Sequence, residues 1–182
     1  MSAVCVYCSS SEDIDPAYLA LAEQVGTRLA AEGYDLVSGG GRVSMMGAVA
    51  RAARAGGAHS VGVIPEQLMA LEVADVEADE LIVVPTMRER KRIMEDRADL
   101  FLALPGGIGT LEELFEMWTS RVLGMHDKPV VVLDPDGLFD PLWAWLADLV
   151  GRGFVRQSAL DGLARVATVD DAFAAFATSV AR

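Results

Sequence analysis

The chain has 182 residues, 52% of them hydrophobic, which suits one domain with a substantial core and excludes intrinsic disorder. With 15 basic and 27 acidic residues the net charge is −12, a surface that repels nucleic acid and anionic lipid, so neither partner is expected. No apolar run approaches a membrane span, and no basic segment precedes an apolar run at the start, so a cytoplasmic location is expected.

The first strand is predicted over residues 3–8. Cys5 and Cys8 form a Cys-x-x-Cys string within it. Residues three apart on a strand point to opposite faces, a redox pair needs a helix N-terminus, and structural zinc needs more ligands. His59 and His126 are well separated, so no metal site is expected and both thiols read as buried and structural.

Ser9-Ser10-Ser11 ends this strand. A helix follows over 16–32, with Leu19, Leu21, Ala22, Val25 and Leu29 inward and Gly33 as its stop. Residues 35–37 form a second strand, leading through Ser38-Gly39-Gly40-Gly41 to a helix over 45–55. The third strand is 60–64. Residues 65–79 read as a loop with little structure, of a length that is often functional. A strand over 81–84 and a helix over 86–97 follow.

Residues 99–104 are a short apolar run suited to a strand buried on both faces. It enters Pro105-Gly106-Gly107-Ile108-Gly109-Thr110, and Leu111, Leu114, Phe115, Trp118 and Val122 then recur at helical spacing. Thr110 is the expected N-cap, with Glu113 completing a capping box. Glycines that let the backbone approach a ligand, and the positive end of a helix dipole, make such a junction a phosphate site. The alternative is a tight turn in which Glu113 serves only the cap. A strand over 129–133, a helix over 138–150, an edge strand over 165–168 and a final helix capped by Asp170 close the chain.

Strands alternating with helices, the strands almost wholly apolar, predict a doubly wound, Rossmann-like α/β domain over 1–182, a parallel sheet with helices on both faces. In such sheets ligands lie beyond the carboxyl ends of the strands, which brings the loops at 8–11, 38–44 and 104–110 together. The stretch from Gly39 is not a dinucleotide fingerprint: its third glycine position is Ser44, it follows the second strand, and no acidic residue ends the next one. No Walker sequence is present. The Arg88-Glu89-Arg90-Lys91-Arg92 run is either a solvated helix face or a local anion site in an acidic chain.

The string from Pro105 to Glu113 resembles the Pro-Gly-Gly-x-Gly-Thr-x-x-Glu signature of the lonely guy family, cytokinin riboside 5'-monophosphate phosphoribohydrolases often mislabelled as lysine decarboxylases. Met87-Arg88-Glu89-Arg90-Lys91 resembles that family's Met-x-x-Arg-Lys, Gly39 to Gly47 its Gly-Gly-Gly-x-x-Gly-Leu-Met-Gly, and Trp118 and the run from Leu123 to Pro129 are similar too. The chain departs from the family strings at Ser9, Ser44 and Met45, which bears on substrate preference. The resemblance covers roughly residues 3–150 and implies hydrolysis of the N-glycosidic bond of AMP or N6-modified cytokinin riboside 5'-monophosphates. It implies Arg90 and Glu113 as catalytic residues. Substrate would be bound by Glu72, Arg90, Lys91 and the Gly106, Gly107, Ile108, Gly109 and Thr110 loop. No cofactor and no metal are implied. It also implies a homodimer, for which the apolar residues between Met87 and Met94 and between Leu114 and Trp118 are the expected interface. His126 is expected to be structural.

Two other classes remain: a non-hydrolytic nucleotide or pterin carrier on the same fold, and a decarboxylase. The last needs a Schiff-base lysine. Lys91 sits among arginines and Lys128 precedes a proline, neither in a recognisable context.

Overall fold

Alternation within each strand feeds two separate cores. In β1 (Ala3–Tyr7) Val4 and Val6 enter one apolar cluster while Cys5 and Tyr7 enter the other. β5 (Leu100–Ala103) divides in the same way, Leu100 and Leu102 from Phe101 and Ala103, and so does β6 (Val130–Leu133). Such strands can lie only in the middle of a sandwich of layers. The computed structural model, which describes residues 2–69 and 73–180, has this form.

The remaining strands are β2 (Asp35–Ser38), β3 (Ser60–Pro65), β4 (Glu80–Val84) and β7 (Ala164–Val166), and all pairings are parallel in the order β4-β3-β2-β1-β5-β6-β7. Helices α1 (Pro16–Ala31), α2 (Ser44–Ala55) and α7 (Val169–Val180) cover the first face; α3 (Met87–Arg97), α4 (Ile108–Val122) and α5 (Asp140–Gly151) cover the second. The chain winds outward from β1 to β4, then returns to β5 on the other side of β1. The switch point therefore lies between β1 and β5, where ligands of such sheets bind. Cys5 and Cys8 are buried in opposite clusters, as their spacing requires.

Three local expectations are corrected. The segment after β3 is not structureless: it carries a 3-10 turn at Glu66–Leu68 and then pairs with the loop after β2, through a Gly41–Ala74 bridge and Asp75 N–H on the Gly40 carbonyl at 2.8 Å. A short helix, α6 (Gln157–Asp161), lies where no element was expected. The last helix is capped by Thr168, which accepts from Asp171 N–H at 3.1 Å, and not by Asp170. No described helix is long and apolar enough to cross a membrane.

Candidate active site

At the switch point a cavity of about 290 Å³ opens between the loop after β1, the loop after β2, helix α3 and the N-terminus of α4. Ser9, Ser11, Gly39, Arg90, Gly107 and Glu113 are among its walls. The convergence of the three loops expected from the winding of the sheet is therefore present.

Helix α4 does not begin as expected. Gly107 is its N-cap, Ile108 its first residue, and no side chain caps it. Thr110 is a buried third residue of the helix, and the capping box with Glu113 does not form. The reason is packing inside the loop: Thr110 folds back over Gly106, where a Cβ would stand 2.1 Å from its Oγ1. Two consequences follow. The leading amides of α4, with no side-chain cap, are available to an anion at the positive end of the helix dipole. Glu113 is one turn further on, at the cavity wall, and is not spent on a cap.

The charge run on α3 is not a single solvated face. Arg88 and Arg92 are exposed, and Arg92 pairs with Asp96. Arg90 is 5% exposed. Its Nε donates to the Val63 carbonyl at 3.0 Å and its Nη2 to the Gly39 carbonyl at 2.9 Å, so two backbone carbonyls, one within β3 and one just past β2, fix the guanidinium at the cavity wall. A planar fork is suited to bridging two such acceptors, which an ammonium cannot do.

Lys91, the next residue, is directed elsewhere. It pairs with Glu112 and, at 2.8 Å, with Glu116, tying α3 to α4, and it does not line the cavity. Partial burial pulls its ammonium down, but the two carboxylates outweigh this and hold it above the ordinary lysine value. Lys128 donates to the Glu95 carbonyl at 2.7 Å, so neither of the chain's two lysines faces the cavity. Gly106 borders an adjoining recess, not the cavity itself. Glu72 lies outside the described residues.

Cys8 and Tyr7 also border the cavity. Burial, and then the nearby Glu113 charge, push the Cys8 thiol up, and burial likewise raises the Tyr7 phenol. Both stay protonated at neutral pH, which leaves no thiolate nucleophile in the cavity. Sequence reasoning missed the apolar lining from Met46, Leu68, Met87 and Met94. Of the side chains expected at an outer interface, Met94 is buried in the chain's own core, as are Leu114, Met117 and Trp118 of α4. Met87 of α3 and Ile108 and Val122 of α4 remain exposed. His126 joins α4 to β6: its Nε2 bonds the Met117 carbonyl at 3.0 Å and its ring packs on Phe101.

The model of a family described as "Possible lysine decarboxylase" matches residues 46–176. A Mycobacterium marinum protein named cytokinin riboside 5'-monophosphate phosphoribohydrolase is 54% identical over 174 residues, 96% of this chain and 92% of that protein. The chain belongs to the phosphoribohydrolase family that this relative represents. A Mycobacterium tuberculosis protein of the same name is also 54% identical, over 97% of this chain and 94% of its own length. Among solved structures, the molybdenum cofactor binding protein of Rippkaea orientalis superposes with a TM-score of 0.76 over 99% of this chain and 98% of its own, at 22% identity. At that identity the likeness is one of fold. The phosphoribohydrolase family thus shares its doubly wound architecture with proteins of other function.

Proposed function

We propose that the protein hydrolyses the N-glycosidic bond of adenine-type nucleoside 5'-monophosphates, AMP and its N6-modified cytokinin riboside forms. Water adds its hydroxyl at C1' and its proton goes to the departing base, giving free base and ribose 5-phosphate. The observation that carries this reading is the meeting of Arg90 and Glu113, from two different helices, at one cavity that also holds the uncapped N-terminus of α4. The names of the 54% identical relatives support the same reaction.

Each group has a task. The α4 amides take the 5'-phosphate and position the sugar. Departure of the base leaves an oxocarbenium-like sugar. The Glu113 carboxylate stabilises that cation and orients the attacking water. Arg90, clamped by the Val63 and Gly39 carbonyls, brings positive charge to the purine or phosphate side. The apolar Met46, Leu68 and Met87 suit a purine face. Decarboxylation has no support here, because the amines of both lysines are engaged away from the cavity.

The test is a product assay across AMP, prenyl-AMP, GMP and CMP. Release of free base and ribose 5-phosphate from the adenine nucleotides is expected. Tight nucleotide binding without base release would replace the enzyme by the carrier reading. The proposal includes a homodimer, supported by the exposed Val122, Leu123 and Met125 at the end of α4. A monomer mass by light scattering at micromolar concentration would refute that part alone.

A further inference from the structure

The Ser9–Ser11 loop is a wall with two sides. On one side lies the cavity; on the other lies an apolar recess of about 270 Å³, lined by Ile14, Tyr18, Met45, Pro105 and Leu138. Ser9, Ser11 and Gly107 border both spaces. The wall therefore stands beside the start of α4, where the phosphate is placed.

Side chains hold Ser11 at both of its backbone polar groups. Its N–H donates to Ser9 Oγ at 3.0 Å, and its carbonyl accepts from Ser44 Oγ. Ser44 opens α2 with φ at +50°, in the left-handed region that a residue with a Cβ adopts at a cost. Glycine would take that conformation freely but has no hydroxyl to offer Ser11. Ser9 and Ser44 are also two of the positions at which the chain departs from the strings it resembles. Both departures converge on one residue of the wall.

We infer that Ser9 and Ser44 are positioning residues that clamp Ser11 between them and so set the width of the phosphate end of the cavity. A strained backbone is kept at residue 44 because only a side chain there can reach the Ser11 carbonyl. Without the clamp the Ser11 peptide is free to turn, and the polar wall opens toward the apolar recess. A sugar 5'-phosphate then loses part of its enclosure while the groups at the glycosidic bond are untouched. The choice of a sugar phosphate as ligand rests on the phosphoribohydrolase reading.

The experiment compares Ser44→Ala and Ser44→Gly. Both remove the hydroxyl, but alanine keeps the backbone strain and glycine relieves it. Three quantities are read: exchange of the Ser11 amide by NMR without ligand, Kd for ribose 5-phosphate by calorimetry, and KM and kcat for AMP. Both variants should speed Ser11 exchange and raise Kd and KM about five- to ten-fold, the scale of one lost hydrogen bond. Their kcat should stay within about two-fold, because the reacting groups are elsewhere. The Ser9→Ala/Ser44→Ala double variant should cost less than the product of the single effects, since both side chains act on Ser11. A purely structural Ser44 would instead give effects that follow thermal stability, with Ser44→Gly close to wild type; that result, or unchanged Ser11 exchange, overturns the inference. If wild-type protein leaves AMP intact, the hydrolase reading fails. Amide exchange and the ribose 5-phosphate Kd then still decide the clamp, and a wild-type protein that does not bind ribose 5-phosphate overturns it.

Discussion

Arg90 and Gly39 stand 51 residues apart in sequence and are joined by the 2.9 Å bond from the arginine Nη2 to the glycine carbonyl. The contact leaves no room for a side chain: a Cβ on Gly39 would lie 2.0 Å from that nitrogen. Gly39→Ala should therefore act as an arginine mutation in disguise, pushing the guanidinium off its carbonyls. Turnover of AMP should fall by about 100-fold, the scale of one lost electrostatic stabiliser, and Arg90→Lys should fall as far because an ammonium cannot span both acceptors. Steady-state kinetics beside thermal melts check this. A fully active Gly39→Ala would mean that the carbonyl clamp does not hold the arginine in its working position.

Glu113 can now be separated from helix capping, because α4 starts at Ile108 with Gly107, which has no side chain, at the N-cap position. Glu113→Gln should leave the fold intact and lower kcat by roughly 100-fold. AMP binding should weaken far less. Glu112→Gln is the comparison: it removes one of two carboxylates on Lys91, a partly exposed pair worth under about 1 kcal/mol, and should change kcat only a few-fold. A dead Glu112 variant beside a working Glu113 variant would move the catalytic carboxylate by one residue.

The phosphate end makes its own prediction. Binding at the α4 amides anchors a part of the substrate remote from the reacting bond, and such anchoring is expressed in rate. Adenosine should be cleaved at least ~100-fold more slowly than AMP, measured as kcat/KM. Equal values would remove the phosphate from this site.

His126 should make stability fall in mild acid. Burial holds its imidazole below the ordinary value of 6.5, with the bond to the Met117 carbonyl opposing. Its Nδ1 is buried without a hydrogen-bond partner among the described residues, so a proton there is poorly solvated. The unfolded chain takes up a proton as pH falls through about 6.5 while the folded chain resists, so this contribution is present above that pH and is lost below it. Thermal midpoints between about pH 7.5 and 5.5 should drop more steeply for wild type than for His126→Gln. Parallel curves would place the acid sensitivity elsewhere.

What the sequence by itself determined is set by short-range pattern. Short apolar runs, down to Leu36-Val37 in β2, announced the strands from β1 to β6, and a cysteine spacing of three announced thiols on opposite faces. The Ser-rich loop after β1 and the Gly-rich loops after β2 and β5 placed the cavity, because a doubly wound sheet brings those loops to one edge. The Pro105-to-Glu113 and Met87-to-Lys91 strings named the family. Only tertiary structure decided which members of those strings work together. Arg90 is distinguished from Arg88 and Arg92 by carbonyls 27 and 51 residues away, which no local periodicity encodes. Lys91 turns from the cavity because Glu112 and Glu116 of α4 draw it. Thr110 fails as a cap because it packs over Gly106, and that packing leaves the helix amides to the ligand and Glu113 to the cavity wall. Pattern along the chain decides which element forms; long-range contacts decide which way a polar side chain turns, since a buried charge goes where its hydrogen-bond partners are.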